Sequence, residues 1–99
     1  MAYARVVKWE GGTAEAIRES IERIQRDAQS GPPEGVPSTG ITFLADPDGG
    51  HVLAIGLFET MDDLRTGHET LEQMSPPVSM GERVSVETYE VAADIRLGS

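Results

Sequence analysis

Apolar and polar positions divide the chain into six stretches, two with a period of three to four and four with the shorter rhythm of strands. Residues 3–9, centred on Val6 and Val7, read as a first strand that Gly11-Gly12 breaks. Thr13 stands where a helix N-cap would, and Ala14, Ile17, Ile21, Ile24 and Ala28 then lay one apolar stripe along a helix reaching about Gln29. Gly31 should end that helix and Pro32-Pro33 prevent a restart. Residues 41–45 and 51–58 form two further strand patterns, joined by the turn-forming run Asp46-Pro47-Asp48-Gly49-Gly50 as a hairpin. Thr60 followed by Asp63 has the form of a capping box and opens a second helix with Leu64, Leu71 and Met74 on one face, stopped by Ser75-Pro76-Pro77. A last strand is expected from Arg83 to about Val91, with room to extend to Ile95.

The order is therefore β-α-β-β-α-β, and the halves echo one another: Ser30-Gly31-Pro32-Pro33 beside Met74-Ser75-Pro76-Pro77. That order is the split arrangement of ferredoxin-like folds, an α+β class with a four-stranded antiparallel sheet and two helices on one face. Right-handed crossovers would set the first and third strands side by side at the centre. Ninety-nine residues suffice for one such domain, expected to span 1–99.

The hairpin does not alternate as a one-sided sheet should. His51, Leu53, Ile55 and Leu57 oppose Val52, Ala54, Gly56 and Phe58, and both sets are mostly apolar. Ile41, Phe43 and Ala45 likewise oppose Thr42 and Leu44. Two helices cover one face only, so a homodimer packed through the other is expected.

Charge narrows the partners. Seventeen acidic residues against eight basic ones give a net charge of −9, with no clustered Lys or Arg to neutralise phosphates. Nucleic acid and anionic membrane are not expected partners. There is no cysteine, so disulfides, thiolate metal sites and Cys nucleophiles are excluded. No apolar run approaches the ~20 residues of a membrane span. Met1-Ala2-Tyr3-Ala4-Arg5 lacks the form of an export signal, and the expected location is the cytoplasm.

The hairpin 39–58, ending in Phe58-Glu59-Thr60 and followed by a helix carrying Leu64, resembles the dimeric α/β-barrel superfamily, in particular antibiotic-biosynthesis-monooxygenase-like domains. The resemblance implies a ferredoxin-like protomer whose sheet packs against a partner's, with a cavity between sheet and helices. It also implies a small-molecule-binding protein: a cofactor-free monooxygenase or an isomerase acting on an aromatic, polycyclic compound. Two features depart from the pattern. The oxygenase members commonly use a cavity Asn, and this chain has none. The helical Trp of the haem-degrading branch would fall near Gly67, and the only Trp here is Trp9. A non-catalytic, dimeric accessory module with a filled core is the alternative.

Among individual residues His68 stands out, four after Leu64 and three before Leu71, inside the apolar stripe of the second helix. It reads either as a cavity general base or haem ligand, or as a hydrogen-bonded core histidine beside a Gly67 that lets the helix approach the sheet. Tyr3, Arg5, Val7 and Trp9 share one strand face. If that face lines the cavity, Tyr3 and Trp9 could stack on an aromatic ligand while Arg5 pairs with a phenolate; if it meets a partner, they are interface anchors. Tyr89 suits either part. His51 reads as a solvated strand-end residue, and no His–carboxylate spacing suggests a metal site.

Overall fold

The computed structural model describes residues 2–29, 31, 34–73, 80–95 and 97–98. Six elements follow in order: β1 (Tyr3–Gly11), α1 (Ala14–Ala28), β2 (Gly40–Asp46), β3 (His51–Phe58), α2 (Met61–Gln73) and β4 (Gly81–Glu90). The strands make one antiparallel sheet in the order β2-β3-β1-β4. β1 and β3 are central, as right-handed crossovers require. This is the ferredoxin-like α+β architecture that the element order implies.

Register sorts the side chains into two faces. Tyr3, Arg5, Val7 and Trp9 of β1 lie opposite Phe58, Gly56, Ala54 and Val52 of β3, and Phe43 of β2 is in turn opposite Ala54. This inner face carries both helices. α1 begins at Thr13, whose Oγ1 accepts a hydrogen bond from the Ala16 amide at 3.1 Å. It buries Ile17 fully, against Val52 and Met80, with Trp9, Ile21, Ile24 and Phe43 packed around them. Burying a side chain like Ile17 contributes roughly 1.5–3 kcal/mol. Ser20 lies on the same buried stripe, and its hydroxyl donates to the Ala16 carbonyl at 2.7 Å, as an interior Ser must. Gly31 takes a positive φ of 93° just past the helix, and its amide donates to the Ala28 carbonyl at 3.0 Å. The proline stops at Pro32-Pro33 and Ser75-Pro76-Pro77, and the helix end at Met74, lie outside the described residues.

α2 is capped in the same way by Thr60, whose Oγ1 accepts from the Asp63 amide at 3.0 Å. Its Leu64 packs with Val36 and Phe58 in a second apolar cluster that Tyr3, Met61 and Leu71 border. Gly67 faces the ring of Phe58, and a Cβ there would come within 2.6 Å of a ring carbon. That ring is only 1% exposed and has nowhere to retreat. The glycine is what lets the helix sit this close.

Two boundaries differ from the pattern. Asp46 pairs with His51, so the hairpin connection is the four residues 47–50 and not five. The Asp46 carboxylate serves the turn from inside the strand, accepting from the Gly49 amide at 3.2 Å. β4 starts at Gly81 and stops at Glu90, without the extension to Ile95. Its partner β1 runs out at Tyr3, and the last bond is from the Val91 amide to the Ala2 carbonyl, at 2.8 Å.

The outer face carries Val6, Leu44, Leu53, Ile55, Leu57 and Tyr89, by the same register. Leu44 and Tyr89 are about half exposed, at 51% and 49%. Among the described residues no helix is long and apolar enough to cross a membrane.

Candidate functional site

One polar network lies on the inner face between its two apolar clusters, and Arg5 is its centre. Arg5 sits mid-strand opposite Gly56, with its side chain only 10% exposed. A buried guanidinium must find acceptors or it would strongly destabilise the fold. It finds them on α2, where Leu64, His68 and Glu72 follow at intervals of four and so line up along one edge of the helix. Arg5 Nε donates to His68 Nδ1 at 3.0 Å, and Arg5 Nη2 donates to Glu72 Oε1 at 3.0 Å.

The network continues outward. Arg83 of β4 grips the same carboxylate with both arms, Nη1 to Oε1 at 2.5 Å and Nη2 to Oε2 at 3.0 Å. Such a fork is the geometry in which arginine binds a carboxylate best. Exposure rises along the chain of contacts, to 32% for Glu72 and 46% for Arg83.

Arg83 reaches the inner face because of a register shift. Lys8 is opposite Ser85, yet Trp9 is opposite Arg83, which leaves Val84 as an extra residue in β4. Without that bulge the strand's alternation would point Arg83 away from α2.

The electrostatics follow from these contacts. The hydrogen bond from Arg83 holds the Glu72 carboxyl below the usual carboxylate range, against a smaller opposing effect of burial. The same bond raises Arg83. Arg5 is lowered, because desolvation outweighs the attraction of Glu72, but a guanidinium remains charged at any ordinary pH. Two cations share one anion, leaving a local surplus of positive charge in a chain whose net charge is −9.

The structure thus brings Arg5 and His68 into contact and places Tyr3 and Trp9 on their face, but in different surroundings. Tyr3 borders the Phe58–Leu64 cluster, while Trp9 borders the Ile17–Val52 cluster. Six residues of strand separate them by roughly 20 Å, too far for one tricyclic ligand to stack on both. Tyr89 lies opposite Ala4 on the outer face, and its hydroxyl donates to Glu87, which raises its pKa. His51 is exposed, with Nδ1 3.3 Å from Glu10 Oε1. It borders a shallow, open hollow of about 250 Å³ at the hairpin end, which Lys8, Leu44, Asp46 and Leu53 also line, away from His68. Among the described residues no three His, Asp or Glu are grouped to hold a metal ion.

Glu72 and Arg83 escaped the sequence reading. Glu72 carried a usable signal, since it continues the Leu64–His68 spacing; Arg83 carried none, because the bulge that turns it inward leaves no mark in the pattern.

Comparison with known proteins places this geometry on a known fold. The structure superposes on a monooxygenase of Streptomyces coelicolor, solved in complex with the ligand nanaomycin D. The TM-score is 0.67 and the identity 17%, over 98% of this chain and 93% of that one. It also superposes on a Chloroflexus aurantiacus protein described as an antibiotic biosynthesis monooxygenase, with a TM-score of 0.59 and 10% identity, over 99% and 100% of the two chains. No protein-family model and no curated protein sequence matches the chain. The chain therefore has the antibiotic-biosynthesis-monooxygenase-like fold along essentially its whole length.

Proposed function

We propose that this protein binds a small aromatic, polycyclic compound between its sheet and α2, in the manner of a cofactor-free monooxygenase or isomerase. The observation that carries this reading is the Arg5–His68–Glu72 network, a polar cluster set on the inner face between two apolar clusters. Polar groups converging within an apolar setting are the usual mark of a small-molecule site. The S. coelicolor protein of the same fold is solved with nanaomycin D, which supplies a first probe. In this reading His68 meets the ligand, Arg5 supplies positive charge against a phenolate, and Tyr3 borders the ligand on the Phe58 side. Trp9 stays a packing residue of the α1 cluster.

The working unit in this proposal is a homodimer. Val6, Leu44, Leu53, Ile55, Leu57 and Tyr89 form apolar patches on an outer face shared with Lys8, Thr42, Ser85 and Glu87, which a second copy would cover by sheet-on-sheet packing. Light scattering on a sizing column should give twice 10.7 kDa at micromolar concentration; the monomer mass would remove the dimer.

One observation favours the second reading, an accessory module with a filled interior. Arg5 already bridges β1 and α2 and has its Nε and Nη2 satisfied by protein partners. Thermal unfolding separates the two. Nanaomycin D or a tricyclic phenol at ten times its Kd should stabilise the protein by about 1.4 kcal/mol, raising Tm by roughly 6–10 °C. The rise should shrink in His68→Ala. No rise with any such compound would leave the accessory module standing.

A further inference from the structure

We infer that Glu72 and Arg83 are positioning residues that decide which nitrogen of His68 carries its hydrogen, and through it which ligand group the site accepts. The ligand half of this inference rests on the reading of the network as a binding site; the tautomer half does not.

Arg5 sets the first constraint on the ring. A guanidinium has only N–H donors, so the His68 Nδ1 that lies 3.0 Å from Arg5 Nε must be an acceptor. The ring hydrogen then sits on Nε2. Nothing in Arg5 alone enforces this, because a long side chain has many rotamers. What holds it is the second contact, Nη2 to Glu72 Oε1, which fixes the rigid guanidinium plane at two points. Glu72 is in turn held by both arms of Arg83, across the gap from α2 to β4. The β4 bulge that brings Arg83 inward completes the chain of constraint.

The chemical consequence is selective. With Nδ1 committed to Arg5, the ring offers a ligand an N–H at Nε2. A hydrogen-bond donor beside surplus positive charge receives an acceptor oxygen, such as a quinone carbonyl or a phenolate, and not an amine. His68 then acts on its ligand as a hydrogen-bond donor that stabilises negative charge on oxygen.

The test is ¹⁵N NMR of the imidazole nitrogens at neutral pH, with exposed His51 as internal control, since the chain has just two histidines. Wild-type His68 should show an unprotonated Nδ1 and a protonated Nε2. Glu72→Gln and Arg83→Met should draw the two nitrogen shifts of His68 toward each other, while His51 stays put. Arg83→Lys, which keeps the charge, should restore part of the difference. A hydrogen found on Nδ1 in the wild type would overturn the inference, as would unchanged His68 signals in both Glu72→Gln and Arg83→Met. Should Glu72→Gln fail to fold, Arg83→Met, changed at a half-exposed side chain, decides alone. For the ligand half, Arg83→Met should weaken binding of a tricyclic quinone by about five- to tenfold, the worth of one hydrogen bond. Equal weakening of the matching tricyclic amine would refute the acceptor preference. If neither compound binds the wild type, the binding-site reading fails while the tautomer result stands.

Discussion

The two helices dock on the same sheet face by different physics. α1 rests on Ile17 against Val52, Trp9, Phe43 and Met80, and its one buried polar group, the Ser20 hydroxyl, is satisfied within the helix by the Ala16 carbonyl. α2 begins in the same way, with Leu64 on Phe58, and then gives its next two turns to His68 and Glu72 on a buried arginine. Buried ion pairs contribute little net stability, because desolvation offsets most of the attraction, and apolar replacements of similar volume often do as well. The α1 contact is explained by folding alone. The α2 network is not, and the difference marks it as the place to look for function.

The sharpest way to break this contrast is a pair of substitutions. Ile17→Ala should cost about 2–5 kcal/mol in denaturant unfolding, through lost burial and the cavity left behind. Arg5→Met should change stability by less than about 1 kcal/mol, because it removes a buried charge and leaves none unpaired, Glu72 being one-third exposed and still held by Arg83. If Arg5→Met proved as damaging as Ile17→Ala, the network would be structural and the contrast would collapse. Glu72→Ala lies between them at about 1–3 kcal/mol, since it strips the buried Arg5 of the carboxylate it is paired with. Gly67→Ala gains about 1 kcal/mol of helix propensity but forces a methyl onto the Phe58 ring, at about 1–3 kcal/mol. A net fall in Tm is expected; a rise would mean that α2 can lift off the sheet freely.

The smallest effect is the pH dependence of Glu72. Its folded carboxyl titrates below the unfolded one, because of Arg83 first. Its contribution is therefore complete above the ordinary carboxylate range, and is lost as pH falls through the depressed folded value. With the side chain one-third exposed, it should amount to less than about 1 kcal/mol. Melts between pH 7 and pH 3 should show a shallower acid decline in Glu72→Gln than in the wild type. Parallel curves would show that the Arg83 fork adds nothing in solution.

Much of this was legible in the sequence, for identifiable reasons. The Ile17–Ile21–Ile24 stripe, the Thr13 and Thr60 caps and the turn at 46–50 are local signals, and each produced its element. The whole-chain likeness to monooxygenase structures agrees with the resemblance read from the hairpin and the Phe58-Glu59-Thr60 step. His68 was visible because a polar ring interrupts an apolar stripe, and Arg5 because it alternates with Tyr3 and Val7. Their contact was not, since it joins residues 63 positions apart. Arg83 was hidden further by the bulge, a one-residue slip that reverses which face a side chain occupies. The sequence pattern put Tyr3 and Trp9 on one strand face, as cavity or interface residues; they do share that face, but in two different apolar clusters.

The most direct test follows the two histidines while ligand is added. On titration with nanaomycin D or a tricyclic quinone, the imidazole signals of His68 should shift in a saturable way, and those of His51 should stay fixed. Saturable shifts at His51 with His68 unmoved would put the site at the open hollow of the outer face and contradict the account.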